Sequence, residues 1–216
     1  MIIAVSGVDC SGKSTQIERL VSRLESAGRS PRVRWYRPGY SDELDALRAL
    51  LRRRSDVLPP PGSGVAREQA FSRPWVRRAW ITVAVLDTIW TYGIKVRCAS
   101  WLGRLVICDR YRWDAVLDLH LRFSGHVALN GAVAGLLRAL CPRPRVNILL
   151  LLSAQEALER QERKAEPFPD TRDVFVKRHG IYDGWSSDAR FVVIDAERSI
   201  DEVHAQIMEQ VPELVS

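Results

Sequence analysis

Cysteine is scarce: only Cys10, Cys98, Cys108 and Cys141 occur in 216 residues, none in a C-x-x-C pair and none beside a histidine cluster. That excludes a disulfide framework and a cysteine-based zinc site, and it fits four reduced thiols in a cytoplasmic protein. Long apolar runs are also missing. The longest, residues 148–152, is strand length, far short of the ~18 residues a spanning helix needs. Residues 1–5 carry no basic group and leave no room for a signal h-region. Neither secretion through a cleaved signal nor a membrane partner is expected. Lysine is nearly absent as well: of 32 basic residues only Lys13, Lys95, Lys164 and Lys177 are lysine, and the rest are arginine.

Against 26 acidic residues, those bases leave a net charge of +6. A basic chain suits polyanions, so nucleic acid has to be considered. The arginines, however, are spread along the whole chain. The densest run, Arg52-Arg53-Arg54, follows Leu47, Leu50 and Leu51, where cations suit the end of a helix. With no basic stripe and no reading motif, no nucleic-acid partner is expected. Hydrophobic residues at 46% and charged residues at 27% are ordinary globular proportions, which argues against disorder. There is no repeat and no low-complexity segment.

Hydrophobic periodicity predicts the elements. Residues 2–6 read as a β-rich run ending at Gly7, and Ile17, Leu20, Val21 and Leu24 stripe a helix over 13–27. Residues 33–36 form a second strand, stopped by Pro38-Gly39. Ser41 and Asp42 cap a helix running to Arg54, and the proline-rich residues 56–64 are a loop. Residues 75–101, with Trp75, Trp80, Trp90 and Trp101, read as a long helix lying on a sheet. Residues 105–108 are a third strand, and residues 112–140 are helical, broken near Gly125 and Gly131. Residues 146–152 are apolar nearly throughout, as a strand covered on both faces should be. Ser153 and Glu156 make a capping box for a helix over 154–164. Residues 191–194 are a fifth strand, and Ile200, Val203, Ile207 and Val211 stripe the last helix. Strands alternating with helices five times call for a five-stranded parallel α/β sheet with helices on both faces, a three-layer sandwich in one domain over 1–216. Ligands in such folds sit beyond the carboxyl ends of the strands.

One motif sits there. Gly7-Val8-Asp9-Cys10-Ser11-Gly12-Lys13-Ser14 fits G-x-x-x-x-G-K-[ST], between a predicted strand and a predicted helix. Its glycines let successive N–H groups face one anion, and the helix start adds its positive end. Lys13 is suited to the β- and γ-phosphates of a nucleoside triphosphate, and the Ser14 hydroxyl to Mg²⁺. The chain has no N-K-x-D for guanine, and its sole D-x-x-G lies inside the phosphate loop, so a switch GTPase is disfavoured.

With its neighbours the motif resembles the thymidylate kinase family, P-loop kinases of the nucleoside monophosphate type. The loop with Thr15 is similar to that family's G-x-D-G-x-G-K-S-T. Tyr36-Arg37-Pro38-Gly39 is like its R-E-P-G without the Glu, and Val106-Ile107-Cys108-Asp109-Arg110-Tyr111 is close to V-I-C-D-R-Y. Val192-Val193-Ile194-Asp195-Ala196, with Ser199, Glu202 and Val203, resembles the segment bordering adenine, and Asp87 falls where the family has A-D-R. The resemblance implies an ATP- and Mg²⁺-dependent kinase and a homodimer. Gly7, Asp9, Cys10, Ser11, Gly12, Lys13, Ser14, Thr15 and Ala196 would hold ATP. Ser14 and Asp109 would serve the metal. Asp9, Arg37 and Arg110 would face the acceptor, Arg110 also in catalysis with Lys13 and Asp109. Arg160 and Arg163 would act from a lid over about 160–170. The same Asp109-Arg110 pair is also consistent with a strand-end ion pair, and Arg160 and Arg163 with a solvated helix face beside Glu156 and Glu159.

The acceptor half departs from the family. The base-reading arginine becomes Thr88, the stacking aromatic becomes Ala84, and the chain continues Arg112-Trp113-Asp114 with no later A-Y-Q. A stacking ring and a two-pronged base reader are worth roughly 1–3 kcal/mol of recognition each. The expected acceptor is therefore a small molecule other than dTMP, by default a nucleoside monophosphate, with a sugar or unusual nucleoside as the alternative. Arg73, Trp75, Arg77, Trp113 and Asp114 are candidates for the rebuilt pocket, Trp75 and Trp113 as stacking rings. The segment Glu166-Pro167-Phe168-Pro169-Asp170 either closes over the acceptor or ends a helix. A non-catalytic ATP-binding module is the competing class.

Overall fold

The structure is a computed structural model describing residues 1–39, 41, 65–164 and 171–214, without the side chains of 65–68 and 164. Five parallel strands form one sheet in the order β2-β3-β1-β4-β5: β1 (Ile2–Gly7), β2 (Arg32–Trp35), β3 (Val106–Asp109), β4 (Val146–Leu151) and β5 (Val192–Asp195). The central β1 is buried along all six of its residues. Side chains alternate across a strand, so Ile3 and Val5 join the core on one face while Ile2 and Ala4 join the core on the other.

The first core is closed by α1 (Lys13–Ser26), whose Ile17, Leu20 and Leu24 join Ile148 and Leu150, and by the last helix (Ile200–Glu209) through Val203 and Ile207. The second is closed by helices α2 (Val65–Ser72) and α3 (Pro74–Thr88), a π-helical segment (Ile89–Val96) and α4 (Arg97–Trp101). The long tryptophan-bearing helix is thus present, with one wide-turned stretch in its middle. α5 (Arg112–Arg122) and α6 (Ala132–Leu140) follow β3, split near Gly125 and Gly131. α7 (Ala154–Lys164) follows β4, α8 is Arg172–Gly184, and the last helix is α9. The layers form the three-layer sandwich of P-loop NTPases.

The predicted strands and helices fall within a residue or two of those observed. The helix expected over 42–54, the loop over 56–64 and the proline-bounded segment 166–170 lie outside the described residues. Three elements were not foreseen, α2, α8 and the 3-10 turn Pro212–Leu214. The capping box at α7 is half made: Ser153 Oγ accepts from Glu156 N at 3.3 Å, but Ser153 N donates to Glu197 and Glu156 pairs with Arg160. Arginine on the next turn competes for the Glu156 carboxylate, which is the physical reason. A complete box between Ser199 and Glu202 opens α9.

All four cysteines are thiols rather than disulfides. No described helix is long and apolar enough to cross a membrane.

Candidate active site

Three strands deliver their loops to one end of the sheet. Register pairs Val5 of β1 with Asp109 of β3, and Asp109 with Trp35 of β2, so the phosphate loop, Arg110 and Arg37 leave the sheet side by side. At Gly7, φ is 149°, and an added Cβ would lie 2.5 Å from the Leu150 carbonyl oxygen and 2.8 Å from Ser11 Oγ, so only glycine fits. Cys10 and Gly12 also take left-handed backbone, φ 66° and 84°, which curls the loop into the start of α1.

Inside the curl, Lys13 Nζ donates to the carbonyls of Gly7 at 3.0 Å and Val8 at 2.6 Å, and Asp9 lies 3.9 Å away. Burial, helped by the Arg110 guanidinium, lowers the Lys13 pKa to about 8 despite Asp9 and Asp109. Ser14 and Thr15 are exposed in the first turn of α1. Among the described residues, three buried oxygens at this end have no hydrogen-bond partner, Ser11 Oγ, Asp109 Oδ1 and Asp118 Oδ2, the last 3.8 Å from Arg37. Burial raises the Asp109 pKa against Lys13 and Arg110, as for a carboxylate facing a site rather than locked in an ion pair. An orphaned carboxylate oxygen, together with the exposed Ser14 hydroxyl, is the hard-oxygen donor set that Mg²⁺ takes. The residues present therefore fit a magnesium–triphosphate group, and among the described residues no His/Cys/Asp/Glu cluster offers a metal an alternative site.

Beside the loop, Arg110 has φ 72°, and its backbone N–H donates to Val5 O at 2.9 Å. Its side chain pairs with Asp9 of the phosphate loop. Burial alone would raise the Asp9 pKa, but Arg110, Lys13, Arg178 and Arg37 together hold it below the usual carboxylate range. Arg37 lies 3.8 Å from Asp118, and the same carboxylate accepts from the buried Arg178 at 2.6 Å. Three guanidiniums and two carboxylates thus meet at the strand ends. Asp118 and Arg178 were missed in the sequence. The signal available was Phe175, His179 and Tyr182, three apolar or aromatic positions at helical spacing behind Thr171, which mark α8 and the face that carries Arg178.

The remaining candidates scatter. Arg160 donates to Glu156 at 2.6 Å and to the Ala196 carbonyl at 3.1 Å, tying α7 to the turn after β5. Arg163, 68% exposed, pairs with Glu159 at 3.0 Å. Among the described residues no hydrogen bond or ion pair joins either arginine to the phosphate loop. Trp75 is half exposed at the start of α3. Trp113 corrects the stacking expectation: it is buried in the first core against Phe191, with Arg112 and Arg190 4.8 and 4.2 Å from its ring centre. It sits in the first turn of α5 inside the first core, so packing claims it. Asp114 is structural too, accepting from Ser6, Tyr111 N and Tyr182. Among the described residues neither Arg73 nor Arg77 is paired with the cluster; Arg77 donates to the Phe71 carbonyl at 3.3 Å.

The positions expected to read a base are sealed. Ala84 and Thr88 are fully buried. Thr88 Oγ1 donates to Ala84 O, and the Tyr36 hydroxyl lies 2.9 Å from both Thr88 and Asp87. Asp87 also accepts from Gly39 N and Ser41 Oγ, pinning the loop that carries Arg37 to α3. Trp80 fills the adjoining space, 3.3 Å from where a Cβ on Gly39 would stand.

The chain is 30% identical to the thymidylate kinase of Solidesulfovibrio magneticus over 217 aligned positions, which cover 94% of each protein. It is 29% identical to that of Deinococcus radiodurans, over 99% of this chain and 97% of the relative. Against that of Symbiobacterium thermophilum it is 28% identical, over 100% and 94%. No family model matches. A phosphate loop by itself is shared by many unrelated nucleotide-binding proteins, but here the similarity extends over nearly the whole chain, and on that extent the chain belongs to the thymidylate kinase family.

Proposed function

We propose that the protein is an ATP- and Mg²⁺-dependent kinase that moves the γ-phosphoryl of ATP to a nucleoside monophosphate other than dTMP. The observation that carries this reading is the juxtaposition at one sheet end of the phosphate loop, the unpartnered Asp109 oxygen and the Asp9–Arg110 and Arg37–Asp118 pairs. The first two suit the donor and the last two suit an anionic acceptor.

Bound Mg²⁺, held by Ser14 and Asp109, would neutralise charge on the donor phosphates. Lys13 gives up its two loop carbonyls for phosphate oxygens, a stronger charge-assisted partner. Arg110 and Arg37 clamp the acceptor's anionic group, with two-pronged geometry available from each guanidinium. Asp9, kept ionised by the surrounding cations, orients Arg110 and accepts from an acceptor hydroxyl. No covalent intermediate is needed, since positioning and charge stabilisation carry phosphoryl transfer. Arg160, next to the Ala196 turn, is suited to the adenine end, and Arg163 reaches the phosphates only if the lid moves.

The sealed Ala84–Thr88 surface supports an acceptor other than dTMP. It offers neither a ring to stack on a base nor a guanidinium to read one. A coupled ADP-release screen over nucleoside monophosphates, nucleosides and sugars tests the assignment. Turnover of dTMP at ordinary kinase rates would overturn the acceptor reading. Arg110→Ala should abolish most turnover while ATP affinity persists. An ATP-binding module without activity would show no turnover in either form.

A homodimer is part of the same reading. Leu86, Trp90 and Ile94 stand 59, 47 and 43% exposed along one line of the α3–π helix, a stripe that a second copy of the chain would cover. Leu86→Asp with Trp90→Asp should halve the mass seen by light scattering.

A further inference from the structure

A second cationic cleft lies at the opposite end of the sheet. Its walls are the start of β2 on one side and the end of the π segment with α4 on the other, and Arg32, Arg34, Lys95 and Arg104 surround a floor of Val96, Ala99 and Val106. The register places it: Arg32 pairs with Val106, the first residue of β3, whereas Asp109 at the other end of that strand belongs to the active site. The cleft holds about 200 Å³.

The charges of its three guanidiniums, Arg32, Arg34 and Arg104, are not balanced by the segments that carry them. Residues 27–39 contain Arg29, Arg32, Arg34 and Arg37, residues 88–108 contain Lys95, Arg97 and Arg104, and neither stretch contains an aspartate or glutamate. No ion pair of Arg32, Arg34 or Arg104 occurs among the described residues. Elsewhere the protein pairs its exposed arginines readily, as in Arg19–Asp201, Arg163–Glu159 and Arg190–Asp188. Like charges gathered in a concave site repel one another and focus a positive potential into it. An anion relieves that repulsion, and guanidiniums offer it paired donors.

We propose that this cleft is a second anion-binding site, taking a small ligand with two or more phosphoryl groups, separate from the phosphate loop. One phosphoryl group would satisfy one or two of the three guanidiniums, so a chain of them is the better match. The chemistry is shared by free polyphosphate and by the phosphate tail of a nucleotide. The site bears on the active site through two shared elements. β2 runs from Arg32 and Arg34 towards Arg37. The π segment carries Lys95 and Val96 in the cleft and, one turn earlier, Tyr92, whose hydroxyl donates to the Arg110 carbonyl at 2.9 Å.

The test uses the full chain with Lys13→Ala, which weakens the phosphate loop, titrated by calorimetry with inorganic tripolyphosphate and, separately, with ATP without metal. Binding of either is expected, and adding Arg32→Ser and Arg34→Ser should weaken it about a hundred-fold, roughly ten-fold for each guanidinium removed. Tripolyphosphate binding as tightly as ATP identifies the phosphate chain as the recognised group; tighter ATP binding adds the nucleoside as the source. Both serine changes are at exposed positions, and in the otherwise native chain they should leave ADP release under saturating substrates within about two-fold. The proposal fails if neither probe binds the Lys13→Ala chain, or if binding survives the two serine changes. Neither failure touches the kinase reading, which rests on Arg110 and the acceptor screen.

Discussion

Lys13 offers a test that structure and electrostatics make quantitative. Burial, with Arg110 beside it, brings its pKa from the usual 10.5 to about 8. In the free protein at pH 8, about half the molecules then carry a neutral amine at the centre of the phosphate loop. A triphosphate brings negative charge alongside, which favours the protonated form. ATP binding must therefore take up about a tenth of a proton at pH 7, about half at pH 8 and about nine-tenths at pH 9. Affinity should fall above pH 8, approaching ten-fold per pH unit. Phosphate esters lose their last proton near pH 6, so the ligand adds little of its own in this range. Calorimetry at each pH in two buffers of different ionisation enthalpy reads the proton count directly. A count near zero from pH 7 to pH 9 would refute the argument, as would the same rising count in Lys13→Ala. For stability the sign is opposite to that of a salt-bridged lysine. The unfolded chain binds more protons between pH 8 and 10.5, so the penalty this group places on the folded state is relieved as pH rises through that window.

Asp109→Asn should lower turnover by about a hundred-fold or more and raise the Mg²⁺ needed for half-maximal rate, with the unfolding midpoint little changed. Asp87→Ala leaves the Tyr36 hydroxyl, Gly39 N–H and Ser41 hydroxyl without this acceptor, and should cost about 2–4 kcal/mol in urea unfolding while raising the acceptor KM. Trp113→Ala should cost about 3–5 kcal/mol by the same method and leave the acceptor KM unchanged, the opposite of what a stacking ring would give.

The sheet was legible because four of its strands are short apolar runs and the fifth, the exposed Arg32–Trp35, is stopped by Pro38-Gly39, and the phosphate loop because its glycines, Lys13 and Ser14 stand at fixed spacing in one short stretch. What sequence could not supply was competition between partners. Trp113 has the right composition for a stacking ring and the right distance from Arg110, yet its helix face turns it to Phe191. Glu156 sits at the position for a capping box, but Arg160 four residues on takes its carboxylate. Asp118 and Arg178 lie 60 positions apart and meet only because α5 and α8 pack together. Asp87 was visible as a marker and its task was not, since its three donors come from a loop some fifty residues earlier.

The wide-turned stretch Ile89–Val96 acts as a change of phase in an otherwise continuous rod. Upstream of it, side chains keep step with the α3 face; downstream, Arg97 reaches both the Gly93 and Leu140 carbonyls and so holds α6 in place. Removing one residue from this stretch would restore ordinary helical winding and leave the helix beyond it in phase, but side chains within the stretch would turn by about 100° relative to one another. Tyr92 and Lys95 could not then both keep their bearings. Point substitutions here should be far better tolerated than a one-residue deletion, even one that takes out an exposed and chemically silent side chain such as Ile94.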